Sequence, residues 1–228
     1  MKELKYTLIA DGSSDKTLIR IIKWLLDDLY PKMPAEGMLA DFRGLPNPPK
    51  TLNDKLKTAK RYFPADIVFI HRDAESVNPK SINQRLTEIQ REIGEREFEK
   101  SVCIIPIKMM ETWLLIDPDA IKKAAGNRNY SGNINLPPLK RLEKENQPKK
   151  LLHELLLDAS GLKGRNLRKF NVDRAVHLVS DNIQSYNVLR ELEAFSVFEK
   201  NLTAVMDFYF SENEKMLCRD DNRRKLGK

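Results

Sequence analysis

The chain has 228 residues, of which 41% are hydrophobic and 32% are charged, a balance typical of a globular protein with one large domain or one domain plus a helical lobe. No apolar run approaches the roughly 20 residues that a membrane-spanning helix needs, and the N-terminus lacks the apolar core of a signal peptide, so we expect a cytoplasmic protein without a membrane partner. The formal net charge of +7 favours a polyanionic partner, nucleic acid above all. Cys103 and Cys218 are too few and too far apart for a disulfide framework or a zinc site.

The first half of the chain alternates strand and helix patterns, which predicts an α/β fold with a mainly parallel sheet flanked by helices. Apolar β-branched runs predict the strands, and apolar residues recurring every three or four positions predict the helices. In chain order we expect a strand over 4–10, a helix over 18–29, a weaker strand over 38–42, a helix over 49–62, a buried strand within 66–75, a helix over 79–93, a strand over 101–107, a short helix over 109–117 and another over 118–126. Pro106 indicates that the last strand lies at an edge or ends there.

The second half of the chain has a different character, since no strand pattern follows Gly126. A polar, turn-rich stretch over 127–136 and the pair Pro137-Pro138 mark a break. Beyond it, apolar periodicity predicts helices that begin after Pro148, over 172–179 and over 188–210. We therefore predict an α/β domain over residues 1–126 and a helical C-terminal extension over 127–228 that packs on it, with the boundary near 127–137.

Acidic residues follow three of the predicted strands. Asp11 comes after the first strand, Asp73 and Glu75 after the third, and Glu111 after the fourth. The carboxyl ends of parallel strands share one edge of a sheet, where open α/β sheets hold their ligands. Residues two apart in an extended backbone point the same way, so we expect Asp73 and Glu75 to share one cation.

A few converging carboxylates suit Mg²⁺ or Mn²⁺, because these ions prefer oxygen ligands. Such an ion is the minimal apparatus for phosphodiester chemistry, since it neutralises charge on the phosphate and lowers the pKa of a bound water. Asp15, one helical turn beyond Asp11, lines the same mouth or only enriches the first turn of the helix. A purely structural interpretation also exists for each acid, because aspartates are common helix caps in such loops.

These motifs resemble the Toprim family, whose members carry a Glu-Gly turn after the first strand and an Asp-x-Asp pair after the third. Here Asp11-Gly12-Ser13-Ser14-Asp15 and Asp73-Ala74-Glu75 stand at those places. The chain is most similar to RloB-like and overcoming-lysogenisation-type Toprim proteins of bacteria. They share a Glu-x-Trp-Leu-Leu-x-Asp run like that of residues 111–117 and a helical tail like residues 190–202.

The resemblance implies a Toprim-like α/β fold and a metal-dependent nuclease. Asp11 takes the place of the family's glutamate, which holds metal or acts in acid-base catalysis, and Asp73 and Glu75 take the place of its metal-binding aspartates. Both places depart from the family pattern by one methylene group. The resemblance also implies a role in phage defence and an ABC-type ATPase as a partner.

A basic stretch over residues 140–169 carries nine basic and four acidic side chains. It is either the grip on a nucleic-acid backbone or an ordinary solvated face. Within it, the segment over 163–169 contains a glycine and reads as flexible. The residues that we expect to contact phosphates are Lys108, Lys163, Arg165, Arg168 and Lys169.

Three functions are compatible with the sequence. The leading one is a Mg²⁺- or Mn²⁺-dependent nuclease acting on DNA or RNA, with Asp11, Asp73, Glu75 and Glu111 as catalytic residues and the first three as metal ligands. The second is a non-catalytic Toprim-like module that binds nucleic acid or a partner ATPase. The third is a phosphatase or phosphotransferase acting on small substrates, which the high positive charge disfavours.

Overall fold

The computed structural model describes residues 3–12 and 14–226, with side chains as far as Glu212. Four strands form one sheet: β1 (Leu4–Ile9), β2 (Ala35–Leu39), β3 (Ile67–His71) and β4 (Ser101–Ile104). Their order is β2-β1-β3-β4, and every neighbouring pair is parallel. The predicted α/β class with helices around a parallel sheet is confirmed.

Ten α-helices occur in the described part of the chain: α1 (Leu18–Leu29), α2 (Leu52–Tyr62), α3 (Lys80–Ile93), α4 (Glu95–Phe98), α5 (Pro118–Ala124), α6 (Leu139–Leu142), α7 (Pro148–Ser160), α8 (Gly164–Arg168), α9 (Val172–Asn182) and α10 (Glu193–Leu226). Short 3₁₀ helices lie at Ser14–Thr17, Met110–Leu114 and Asn187–Glu191. None of the helices in the described residues is both long and apolar enough to cross a membrane.

The second strand begins and ends earlier than the sequence predicts, at Ala35–Leu39 rather than over 38–42. Its register places Gly37 beside Tyr6 of β1, and a Cβ atom on this glycine would lie 2.0 Å from the Tyr6 ring. A glycine is therefore required at this position of β2, although the apolar pattern of the sequence places it outside the strand. After Leu39 the chain turns, and the Asp41 side chain accepts a hydrogen bond from the backbone of Arg43.

The start of α2 and the course of the last helical segment also differ from the predictions. The helix begins at Leu52 and not at Pro49, because the Thr51 side chain accepts the backbone N–H of Asp54 and caps it. The helix predicted over 188–210 is a 3₁₀ helix followed by α10. Glu143 stabilises the start of α10, since its carboxylate accepts the N–H groups of residues 193 and 194 at 3.0 Å each.

The sheet is covered on both faces, and its side chains alternate between them. The Tyr6 hydroxyl donates to the carbonyl of Ile19 in α1, and the Phe69 ring packs edge-on against Phe198 of α10. Thr7 points the other way and donates to the carbonyl of Phe63 at the end of α2. Helices α1 and α10 thus cover one face, and α2 with its neighbour α3 covers the other.

The C-terminal helices share the core of the sheet. One continuous cluster of buried side chains includes sheet residues as well as residues of α7, α9 and α10. At the β4 edge, the Asn201 side chain of α10 accepts the backbone N–H of Cys103 at 2.6 Å. The predicted packing of the helical extension on the sheet is present, whereas the domain boundary near 127–137 stays a prediction.

Candidate acidic site at the carboxyl edge of the sheet

The strand order reverses between β1 and β3, which makes their carboxyl ends a topological switch point. In open α/β sheets the crevice at such a point is the usual place for a ligand. Asp11 lies two residues beyond β1, and Asp73 lies two residues beyond β3. The two acids therefore flank this crevice.

A cavity of about 330 Å³ opens there, which we call the acidic cavity. All four acids predicted from the sequence line it, and the structure adds Asp15, His71 and a lysine from the C-terminal helices. Its wall consists of Asp11, Gly12, Ser14, Asp15, His71, Arg72, Asp73, Glu75, Met109, Glu111 and Lys149.

The centre of the acidic cavity is formed by the buried side chains of Asp15 and His71 and the half-buried side chain of Asp73. Nε2 of His71 lies 3.5 Å from Oδ1 of Asp73 and 3.8 Å from Oδ1 of Asp15. Backbone N–H groups hold both carboxylates in place: Gly12 donates to Asp15 at 2.8 Å, and Met110 donates to Asp73 at 2.8 Å. Asp15 thus lines the site, as well as opening a helical turn.

The His71 ring has a fixed orientation. Its Nδ1 lies 3.1 Å from the carbonyl oxygen of Ile104, and because a carbonyl only accepts, Nδ1 carries the hydrogen. In the neutral ring, Nε2 then presents a lone pair to Asp15 and Asp73. A lone pair and two carboxylate oxygens repel one another unless a proton or a cation lies among them.

The surroundings of Asp73 disfavour its ionised form. Burial raises its pKa to about 6; the neighbouring His71 opposes the rise, whereas the Asp15 and Glu111 carboxylates add to it. A buried carboxylate surrounded by other carboxylates is stabilised by a nearby cation. The electrostatics of the acidic cavity therefore favour a positive charge at its centre.

Asp11 and Glu75 face outward and carry cationic partners. Oδ1 of Asp11 lies 2.6 Å from Nζ of Lys55 in α2, and Oε2 of Glu75 lies 2.8 Å from Nη2 of Arg85 in α3. Their side chains are 67% and 76% exposed, whereas that of Asp15 is 11% exposed. The inner and outer acids of the cavity are therefore electrostatically distinct.

The geometric reason for pairing Asp73 with Glu75 on one cation is wrong. The strand ends at His71, before either acid, and Glu75 has a left-handed backbone with φ 57°. The backbone between the two acids is not extended, so the alternation of side chains along a strand does not apply to them. The assignment of Glu75 as a metal ligand stays a prediction, without this support.

Glu111 sits in the wall with 5% of its surface exposed. Its Oε1 lies 3.8 Å from Nζ of Lys149, the second residue of α7. The rest of the 111–117 run has structural roles. Trp113 is fully buried, and the Asp117 side chain caps α5 by accepting the N–H groups of residues 119 and 120.

The predicted phosphate-binding residues do not line the acidic cavity. Lys108 directs its Nζ to the carbonyl of Glu75, 3.4 Å away. The other four lie in or beside α8, exposed, and no ion pair joins them to a described residue: Lys163, Arg165, Arg168 and Lys169. Their segment is a short helix and not the flexible loop that its glycine suggests, because backbone N–H groups of residues 166 and 167 bond to the Lys163 carbonyl.

The position of α8 follows from α7. That helix starts beside the cavity at Lys149 and has 13 residues. A helix rises about 1.5 Å per residue, so the far end of α7 lies roughly 20 Å from its start, and no residue of α8 lines the acidic cavity. The basic cluster on α8 is therefore a separate surface.

Sequence reasoning missed three cations that contact the predicted acids: Lys55, Arg85 and Lys149. Each lies on a helix, and Lys55 and Lys149 are far along the chain from their partners, whereas Arg85 is ten residues from Glu75. Lysine or arginine on a helix face is normally solvated. Lys149 gives one usable signal, because it directly follows a proline that starts a helix. The sequence cannot say which part of the sheet that helix end approaches.

The inner acids, Asp15 and Asp73, suit a divalent cation that keeps several water ligands better than one held entirely by protein ligands. Among the described residues, no three His, Cys, Asp or Glu side chains are arranged to enclose a metal ion. Mg²⁺ keeps several waters and is commonly held by one or two carboxylates, and Mn²⁺ also accepts imidazole nitrogen. Asp15 and Asp73 are two carboxylates of this kind, and Nε2 of His71 faces both of them.

No protein-family model, curated protein or solved structure matches the chain. The resemblance to Toprim proteins therefore rests on the motifs at residues 11–15, 73–75 and 111–117 and on the helical tail at residues 190–202.

Proposed function

We propose that the protein is a divalent-metal-dependent nuclease that hydrolyses phosphodiester bonds at the acidic cavity. The observation that carries the proposal is the convergence of Asp15, His71 and Asp73 at the switch point of a parallel sheet. This arrangement favours a cation, and the net charge of +7 favours a polyanionic substrate.

The residues would divide the work by position. Asp15 and Asp73 would hold Mg²⁺ or Mn²⁺, and Nε2 of His71, whose ring is oriented by the Nδ1 bond to the Ile104 carbonyl, would present its lone pair to the ion. When bound, the ion would neutralise charge on the phosphate and lower the pKa of a water. Lys149, 51% exposed beside Glu111, would contact a phosphate oxygen of the substrate.

Asp11, Glu75 and Glu111 would form the outer acidic rim. Asp11 and Glu75 each have a cation within 2.8 Å, so they reach a bound metal only if those ion pairs exchange. Exchange of the Lys55 and Arg85 ion pairs would change the net charge of the site. Asp11 would act as the general base by accepting a proton from the attacking water.

The metal site is tested by calorimetric titration of Mn²⁺ into the wild type and into variants. We expect Asp15→Asn and Asp73→Asn to abolish measurable binding and Glu75→Gln to retain it. His71→Asn should weaken binding, because it removes the Nε2 lone pair that faces the ion. Asp173→Asn, an exposed aspartate in the first turn of α9, is the matched control.

Cleavage of labelled DNA and RNA is then measured with Mg²⁺ or Mn²⁺ in the same variants. The nuclease proposal predicts that cleavage disappears together with metal binding, while the circular dichroism spectrum is unchanged. Metal binding and cleavage that survive in both Asp15→Asn and Asp73→Asn would refute the site. Turnover of small phosphomonoesters with no cleavage of polynucleotide would favour a phosphatase.

A non-catalytic module is the second candidate, and the Lys55–Asp11 and Arg85–Glu75 ion pairs favour it. These pairs neutralise two of the acids that the nuclease would use. A module of this kind would bind nucleic acid or a partner ATPase without turnover. Metal-independent binding of nucleic acid without cleavage would support it, and a copurifying ATPase would identify the partner that the Toprim resemblance implies.

A further inference from the structure

Two more cavities continue the acidic cavity along the edge of the sheet. The middle cavity, about 520 Å³, shares Asp11 and Gly12 with the acidic cavity. The outer cavity, about 850 Å³, shares Leu39, Asp41 and Arg43 with the middle cavity. Because neighbouring cavities have wall residues in common, the three lie side by side along this edge of the sheet, and we call the row of cavities the trench.

The trench changes sign along its length. The acidic cavity carries five acidic side chains against two basic ones. The middle and outer cavities together carry four cations and three acids. The cations are Lys16, Arg20, Arg43 and Lys55, and the acids are Asp11, Asp41 and Asp181. A polyanion that has one group at a metal-bearing acidic end therefore finds positive charge for its neighbouring groups.

Three of these cations are held in ion pairs whose acid a phosphate can replace. Nζ of Lys55 lies 2.6 Å from Asp11, Arg20 bonds to Asp181, and Arg43 bonds to Asp41, two residues away, through Nε and Nη2. The Arg20 and Arg43 pairs are exposed on both sides, and such pairs contribute little free energy. Phosphate oxygens accept charge-assisted hydrogen bonds from the same groups, so exchange of partners is inexpensive.

The outer cavity also has an apolar wall, formed by Ile19, Met38 and Leu39. Met38 is 48% exposed although it lies on β2. Apolar side chains next to phosphate-binding cations suit a strand whose bases and backbone are both accessible. The Asp15 carboxylate that would hold metal is 11% exposed, a depth that an unpaired strand reaches more easily than a duplex.

We infer that the trench is the binding site for a single-stranded polynucleotide, an inference that rests on the proposed nuclease function. One phosphodiester group lies in the acidic cavity, and the adjoining nucleotides follow the trench past Lys55 and Arg43 to Lys16. The basic surface of α8 lines none of the three cavities and is not required for this contact.

Fluorescence anisotropy with labelled oligothymidylates and oligouridylates of roughly 4 to 16 nucleotides tests the inference on the full chain. Binding is measured without divalent metal and over a range of salt concentrations. We expect Lys16→Gln, Arg43→Gln and Lys55→Gln each to weaken binding. Each should also lower the slope of log affinity against log salt by about 1.

Lys57→Gln is the matched control, because Lys57 is exposed on the same helix as Lys55 and outside the trench walls. It should bind like the wild type. A second set, Lys163→Gln, Arg165→Gln and Arg168→Gln, tests the α8 surface in the same assay and should also change binding little.

The trench proposal is wrong if the trench variants bind like the wild type or if only the α8 variants lose affinity. Equal affinity for duplex and single strand would also contradict it. Full competition by polyglutamate would indicate an acidic protein partner instead. The two proposals can fail separately. If the protein cleaves nucleic acid but the trench variants bind oligonucleotides like the wild type, only the trench proposal is wrong. If the trench variants weaken binding but the wild type cleaves nothing, only the nuclease proposal is wrong.

Discussion

Lys108 has a left-handed backbone with φ 63°, uncommon for a residue with a side chain. The strain has a structural purpose. Backbone bonds join the loop after β3 to the loop after β4: Ala74 to Pro106, Glu75 to Lys108, and Lys108 to Ser76, at 2.9–3.0 Å. These bonds extend the β3–β4 pairing past the ends of the strands. They hold Asp73 and Met110 in the geometry of the acidic cavity.

Replacement of Lys108 separates its backbone role from the predicted phosphate contact. Lys108→Gly should be more stable than Lys108→Ala by about 1 kcal/mol, because glycine adopts the left-handed conformation without steric cost. Urea unfolding measures the difference. In the middle of α5, Lys122→Gly should instead be about 1 kcal/mol less stable than Lys122→Ala. If alanine equals glycine at position 108, the strain is absent.

At the scale of elements, the two edges of the sheet differ in what covers them. The outer edge of β4 lies under α10, whose Asn201 side chain takes the backbone N–H of Cys103. The outer edge of β2 faces the outer cavity of the trench. An edge strand needs such cover where it would otherwise pair with another chain. The helix that ends the chain therefore protects the sheet as well as filling its core.

Removal of the Asn201 amide should show how much this contact contributes to the free energy of unfolding. We expect Asn201→Ala to lower the free energy of unfolding by about 1–3 kcal/mol, because the buried Cys103 N–H loses its acceptor. Chemical denaturation measures the change, and the neighbouring exposed residue provides the control, Lys200→Ala, with an effect within about 0.5 kcal/mol. Equal stability of the two variants would mean that water satisfies the Cys103 N–H.

At the scale of the whole molecule, the sheet and the C-terminal helices form one packing unit. Trp113, which follows β4, stacks on Phe198 and meets Phe195 edge-on, at ring distances of 6.0 and 5.2 Å. Phe198 also contacts Phe69 at the centre of the sheet. Aromatic groups shared between two parts of a chain couple their stabilities.

This coupling predicts a single cooperative unfolding transition for the whole chain. In a Trp24→Phe variant, fluorescence reports only on Trp113, and its midpoint in urea should coincide with that of far-UV circular dichroism. The expectation fails if Trp113 becomes exposed in an earlier, separate transition. That result would instead support two independent domains with a boundary near residue 127.

The sequence by itself determined the class of fold and the edge at which the acids meet. Apolar runs of four to six residues and helical periodicity are local properties, so they predict β1, β3, β4 and most helices without any tertiary contact. The convergence of Asp11, Asp73 and Glu111 follows just as directly, because all carboxyl ends of parallel strands share one edge. Predictions failed where a single cap or side chain sets a boundary, as Thr51 does for α2.

Only the tertiary structure decided the strand order, the partner of each acid and the course of the trench. Asp73 meets His71 and Asp15, whereas Asp11 meets Lys55, 44 residues away. Lys149 reaches Glu111 from the C-terminal helices. Contacts of this kind depend on how helices cross the sheet and on which rotamers the packing allows. Residue type and spacing along the chain carry no information about either.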